Sequence, residues 1–198
     1  GDFITNDQTL VFNGTLDAAL AAGDKVQVSL DGGATWQDAT TTGQTWSFDN
    51  SANTLAEGTY TVQARVVDAA GNVGSTASQV VTVDITGPSA TEVVHITGIT
   101  TDSSTAGDFI TNDSTLIFSG TLDAALATGE KVQVSLDGGT TWQDAITTGT
   151  NWTFDNTANT LADGTYTVQA RVVDTAGNVG STASQVVTVD TTVPSATE

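Results

Sequence analysis

The chain has 198 residues, no Cys and no Met, and sets 23 acids against four Lys and Arg for a formal net charge of −19. Phosphate binding needs a basic footprint, so nucleic acid is excluded as a partner and an anionic membrane surface is disfavoured. Without cysteine there is neither a disulfide frame nor a thiol nucleophile, and 198 residues suit one or two small domains.

An internal repeat decides the domain count. Residues 1–92 recur as 107–198 without a gap, and 15 of these 92 positions differ. The pattern predicts an all-β chain of two tandem Ig-like antiparallel β-sandwiches arranged end to end. The expected boundaries are 1–86 for a repeat whose first strand falls outside the sequence, 87–191 for a complete repeat, and 192–198 for the start of a further linker. Because the chain starts and stops within the repeat, it reads as an excerpt of a longer array.

In the complete unit, 93–99 (VVHITGI) reads as the first strand. Val94 and Ile96 share one face, and His95 turns to solvent or a sheet edge. A turn-rich loop, 100–114, follows with Asp102, Asp108, Asn112 and Asp113. Residues 115–122 form the second strand, with Leu116, Phe118 and Leu122 inward. The connection 123–130 has room for one helical turn. Strand 131–136 points Val132, Val134 and Leu136 inward, and Asp137-Gly138-Gly139 turns the chain into a return strand, 141–145. Trp142 stands beside that turn and outside the expected core. Trp152 and Phe154 mark the next strand.

The segment 163–190 reads DGTYTVQARVVDTAGNVGSTASQVVTVD, and 57–84 nearly repeats it. Tyr166, Val168, Ala170 and Val172 alternate with Thr167, Gln169, Arg171 and Val173, the period of a half-buried strand. Ala-Gly-Asn breaks the run, and 186–189 returns it. The hairpin therefore carries Asp174 and Asn178 at its turn and Asp190 at its exit; Asp68, Asn72 and Asp84 are the counterparts. The expected core is Leu116, Phe118, Val132, Val134, Leu136, Trp152, Phe154, Leu161, Tyr166, Val168, Val172, Val187 and Val189.

Gly164-Thr165-Tyr166-Thr167-Val168 resembles the tyrosine corner of immunoglobulin-like sandwiches. The longer pattern DGTYTVQARVVDTAGN, with VTVDTTVP behind it, resembles the bacterial Ig-like extender repeats of giant RTX and biofilm-type adhesins, ice-binding ones included. The resemblance implies a secreted, non-enzymatic module at a bacterial cell surface.

The acids suggest what holds such modules. Of the 23 acids, 19 are Asp, and short carboxylates in tight loops suit Ca2+, a hard cation that takes oxygen ligands. Counted from Asp102, the loop has Gly at position 6 and Asp113 at position 12, like an EF-hand, but no helix flanks it and position 5 is Ala106. Strand parity in an all-antiparallel sandwich puts the 100–114 loop and Asp190 at one end of a unit and the Asp174 turn at the other. Head-to-tail stacking would then bring Asp2, Asn6, Asp7 and Asp84 toward Asp174 and Asn178, with Glu92 in the linker as a further ligand. The full candidate metal set is Asp2, Asn6, Asp7, Asp68, Asn72, Asp84, Glu92, Asp102, Asp108, Asn112, Asp113, Asp174, Asn178 and Asp190.

These features favour a structural extender: a calcium-rigidified rod that projects an adhesive domain, whose partners are neighbouring repeats and whose adhesion target is bound elsewhere. Membrane insertion and a small-molecule substrate are not expected. A glycan- or protein-binding sandwich is the alternative, but recognition loops tend to differ between copies and these barely do. An enzyme is disfavoured, because the single His lies in a segment that unit 1 does not repeat, so no Ser-His-Asp set can form in each unit.

Overall fold

A computed structural model describes residues 1–103 and 105–195. Ser104 and the last residues of the expected third segment, 196–198, lie outside the described residues. The chain divides into two compact units, Gly1–Ile85 and Thr86–Glu198. Each is an antiparallel Ig-like sandwich apart from one short parallel pairing, and the described residues contain no helix.

Unit 1 is built from β1 (Ile4–Thr5), β2 (Val11–Thr15), β3 (Lys25–Ser29), β4 (Gln37–Asp38), β5 (Thr40–Thr42), β6 (Thr45–Asp49), β7 (Gly58–Val67) and β8 (Val73–Val83). Its sheets have the orders β1-β8-β7-β3-β4 and β2-β6-β5. Unit 2 adds β9 (Val94–Ile99), then β10 (Ile110–Thr111), β11 (Ile117–Leu122), β12 (Lys131–Ser135), β13 (Gln143–Asp144), β14 (Ile146–Thr148), β15 (Asn151–Asp155), β16 (Gly164–Val173) and β17 (Val179–Val189). Its sheets are β10-β17-β16-β12-β13 and β14-β15-β11-β9.

The core of unit 2 follows from strand alternation. Leu116, Phe118, Val132, Val134, Trp152, Phe154, Val168, Val172, Val187 and Val189 are buried, and Leu136, Leu161 and Tyr166 pack against them. Val94, Phe109 and Ala170 join this core beyond the expected set. The Tyr166 hydroxyl donates to the Ala162 carbonyl at 2.9 Å, and Tyr60 does the same to Ala56 at 2.8 Å. This is the tyrosine corner that the sequence resembled.

Four expectations change. The sandwich is not wholly antiparallel: within the 100–114 loop, β10 runs parallel to β17, pairing Ile110 with Thr188 and Thr111 with Val189. The expected return strand 141–145 divides, because only Gln143 and Asp144 pair with β12 before the chain crosses and β14 joins the other sheet. The last strand is longer than 186–189. Val179 already faces Val173, and the run between carries the main-chain ladder with small, mostly polar side chains that give little apolar signal. The connection 123–130 forms turns, without a helical turn.

On the outer face of the larger sheet lies a polar network repeated in both units. Lys131 donates to Asp144 at 2.8 Å, Gln133 donates to Asp144 at 2.9 Å, and Arg171 donates twice to Gln133 Oε1. The Arg171 guanidinium lies 3.9 Å over the Trp142 ring. Lys25, Asp38, Gln27, Arg65 and Trp36 repeat this arrangement. These two Lys and two Arg are all four basic residues of the chain.

Candidate metal centre

At one end of unit 2, three segments meet: the linker 86–92, the turn 127–130 and the turn 174–178. Asn178 donates its backbone N–H to Asp174 Oδ1 at 2.9 Å and its side-chain amide to Asp174 Oδ2 at 2.8 Å. The same amide reaches the Thr86 carbonyl at 3.3 Å. Pro88 sits so close to Gly180 that a Cβ there would meet the Pro88 ring at 2.8 Å. Ser181 donates to the Glu92 carbonyl at 2.7 Å and accepts from the Val94 N–H at 2.9 Å. The linker is thus stitched along the start of β17.

These stitches bury Glu92, which is only 5 % exposed. Its carboxyl lies beside that of Glu130, whose Oε2 accepts the Ala127 N–H at 2.7 Å. Burial first, and the Glu130 carboxylate second, push the Glu92 carboxyl above the usual range. Its Oε2 has no hydrogen-bond partner. Among the described residues, Lys25 and Lys131 are committed to Asp38 and Asp144, His95 to Asp123, and Arg65 and Arg171 to the outer face.

The opposite end of unit 2 gathers the loop acids and Asp190. The Asp190 N–H donates to the Thr111 carbonyl at 2.9 Å, which closes the loop onto the strand exit. Most of the oxygens here brace turns. Asp108 accepts from the Ile110 N–H, Asp190 from Thr192, and Asn112 from the Ser103 hydroxyl. Asp113 accepts twice from Thr115, and the backbone bond above all lowers its pKa. Asp102 Oδ2 accepts the Gly107 N–H, but its Oδ1 is buried and unpartnered.

In unit 1, Asp2 accepts from the Ile4 N–H and Asp7 twice from Thr9, with the backbone bond again lowering the Asp7 pKa most. Asn6 is exposed in the same loop, and the Asp84 N–H donates to the Thr5 carbonyl at 2.9 Å. Asp68 and Asn72 form the same braced turn as Asp174 and Asn178, and the Asn72 amide is the main cause of a lowered Asp68 pKa. Among the described residues of either unit, no three His, Asp or Glu side chains converge.

Sequence reasoning missed two acids. Glu130 stands where unit 1 has Asp24, one methylene shorter, and that added reach is its only sequence signal. Asp163 pins the strand exit, accepting from the Thr191 N–H at 2.9 Å and from the Thr191 and Thr192 hydroxyls at 2.6 and 2.8 Å.

The bacterial Ig-like domain family matches residues 1–85 and again 90–191, nearly the whole chain in two tandem copies. The chain belongs to that family. Bacterial Ig-like membership is consistent with a structural or adhesion module exposed at a cell surface. Among solved structures, the fibronectin(III)-like modules of Clostridium thermocellum CbhA align over 94 % of this chain and 90 % of theirs, at 15 % identity and a TM-score of 0.54, a likeness of fold. A tetra-tandem repeat from the extending region of a large adhesion protein aligns over 95 % of this chain and 47 % of its own, at 24 % identity and a TM-score of 0.33. The D00-D0 domain of intimin aligns over 93 % of this chain and 86 % of its own, at 16 % identity and a TM-score of 0.29. No curated protein sequence matches the chain.

Proposed function

We propose that this tandem is a non-enzymatic extender module of a large bacterial surface adhesin, of the RTX and biofilm type its motifs resemble, stiffened by Ca2+. Family membership and repetition support the structural role. The observation that carries the calcium part is Glu92: a buried carboxylate with an unpartnered oxygen, beside a second carboxylate, while the Lys, Arg and His side chains among the described residues are engaged elsewhere.

The donor type suits the ion, with two carboxylates here and the remaining ligands left to carbonyls and water. Ca2+ takes six to eight oxygen ligands from carboxylates, carbonyls and water, and needs no nitrogen or sulfur. Glu92 and Glu130 would hold it in unit 2, and Asp102, with its own unpartnered oxygen, would anchor a second ion at the opposite end. A bound divalent ion supplies the positive charge that the pair lacks. The residues themselves do the rest: Asn178, Pro88 and Ser181 hold the linker on unit 2, so charge neutralisation at Glu92 fixes the linker rather than a free loop. Neighbouring repeats are the partners in this reading, and the adhesion target belongs to other parts of the parent protein.

The alternative, a glycan-recognising sandwich, needs free aromatic faces. Trp36 and Trp142, which stand beside exposed turns, each have an Arg guanidinium over the ring.

Calorimetric titration of the full chain with calcium tests the proposal. Saturable binding that weakens on Glu92→Gln and on Glu130→Gln supports it. Equal binding by the wild-type chain and both variants removes Glu92 and Glu130 from the site.

A further inference from the structure

The two copies have not drifted evenly. Every residue of the larger sheet is the same in both units: β1, β8, β7, β3 and β4 read letter for letter as β10, β17, β16, β12 and β13. The smaller sheet differs at five positions. Val11, Asn13, Thr40, Thr45 and Ser47 of unit 1 stand where unit 2 has Ile117, Ser119, Ile146, Asn151 and Thr153. These lie on its outer face, where Ile146 faces Thr153 and Thr153 faces Ser119. Identity on the inner faces follows from core packing. On the outer face of the larger sheet, the network of Lys131, Asp144, Gln133, Arg171 and Trp142 holds itself in place. Neither reason covers Thr165, Thr167, Thr182, Ser184 and Val186. These five are exposed, Val186 at 53 %, and among the described residues they make no side-chain hydrogen bond. Substitutions at such positions cost a fold little, so the fold does not keep them the same.

We propose that this outer face, centred on β16 and β17 in unit 2 and on β7 and β8 in unit 1, pairs with the same face of a second copy of the chain. Charge selects the occupant. At −19, two copies repel each other over most of their surface. This face sets Lys131 and Arg171 against one acid, Asp144, and its centre is uncharged. It is also complementary to itself. One row crosses four strands in the order Thr182, Arg171, Gln133 and Asp144. A two-fold axis through the middle of the row reverses its copy. The donors Thr182 and Arg171 of one chain then face the acceptors Asp144 and Gln133 of the other. Val186 and Ile110, each about half exposed, add apolar area. A face that recurs unchanged in each unit suits a partner that recurs in the same way, as a second copy of the tandem does. Strands about 4.8 Å apart and about ten residues long give each face roughly 500 Å², so the association is weak and reversible. This inference goes beyond the extender reading and needs no calcium.

The test uses the full chain in chelator. Sedimentation equilibrium is run up to about 1 mM, because faces of this size make transient contacts, and nitrogen-15 spectra are recorded on dilution. Reversible self-association beginning with a dimer is expected. It should tighten as sodium chloride is added, since screening relieves the repulsion between two acidic chains. The amide signals of Thr165, Thr167, Thr182 and Val186 should move with concentration while those of Ile146 and Thr153 stay. These spectra need no variant. Thr167→Glu combined with Thr61→Glu should abolish the dimer without lowering the melting temperature. Ile146→Glu combined with Thr40→Glu adds the same charge to the smaller sheet and should leave the dimer intact. The proposal is overturned if the chain stays monomeric at every concentration and salt, if the dimer survives Thr167→Glu with Thr61→Glu, or if the moving signals fall on the smaller sheet. Association that appears only when calcium is added would place the contact at the acidic ends and likewise overturn it.

Discussion

Glu92 and Glu130 hold their carboxyl groups side by side in unit 2, with Glu92 buried and its Oε2 unpartnered. Two adjacent carboxylates repel unless a proton or a cation lies between them. A substitution that removes the charge therefore has opposite effects under two conditions. Without calcium at neutral pH, Glu92→Gln should stabilise unit 2 by about 1 kcal/mol, seen as a rise of roughly 4–8 °C in melting temperature. With calcium in excess, the same variant should lose most of the calcium-dependent increment. A variant that is destabilised in both conditions would mean that Glu92 is held by bonds the Gln cannot keep.

The pH dependence follows with its sign. The Glu92 carboxyl is raised, so the folded unit holds a proton that the unfolded chain releases. Its contribution to stability is present below the ordinary Glu range and is lost as pH rises through the raised value. The Asp113 and Asp68 carboxyls are lowered, so their contributions run the other way and fade as pH falls. In calcium-free buffer, the difference in unit 2 stability between wild type and Glu92→Gln should narrow on acidification. Thermal melts of both proteins across the pH range check this. A difference that does not change with pH would contradict it.

Gly120 is the position most sensitive to a single added carbon. A Cβ there meets the His95 carbonyl and the Trp152 ring at once. Gly120→Ala should cost about 1–3 kcal/mol, as overpacking does, and should release β9 from the edge of β11. Hydrogen exchange at the β9 amides and a red shift of tryptophan emission are the readouts. Protected β9 amides in the variant would show that the sheet absorbs the methyl group.

Arg171 over Trp142 predicts a smaller effect. Arg171→Ala loses a cation–π contact worth about 0.5–1 kcal/mol at a partly exposed site, and two hydrogen bonds to Gln133. Arg171→Lys should recover only part of the loss, because an ammonium cannot stack and bridge in one plane. Full recovery by Lys would mean that charge alone matters there.

The core was legible because burial alternates along the strands: Val132, Val134 and Leu136 announce their face at once. The tyrosine corner at Tyr166 was legible for a different reason, a motif with its own hydrogen bond. β10 was not, since two residues inside an Asp- and Thr-rich loop show no period. The early part of β17 was hidden because Gly180, Ser181, Thr182 and Ser184 resemble a turn, although their main chains complete a ladder. The bonding of the loop acids was not visible in the sequence: Asp108, Asp113 and Asp174 mainly brace turns. Glu130 escaped notice because its meaning depends on how the linker folds back to bring Glu92 beside it.

The claim that calcium stiffens the tandem is tested most directly by small-angle X-ray scattering, with thermal melting measured on the same samples. A site occupied at a hundredfold excess over its dissociation constant stabilises the folded state by about 2.7 kcal/mol, or roughly ten degrees or more for a domain of about 100 residues. Sodium chloride at matched ionic strength is the control, because screening alone relieves the repulsion of a chain at −19. The account predicts that millimolar calcium raises the melting temperature and extends the maximum particle dimension beyond the salt control, and that Glu92→Gln diminishes both. If adding calcium, or removing it with chelator, changes neither quantity relative to that control, calcium does not stiffen this tandem.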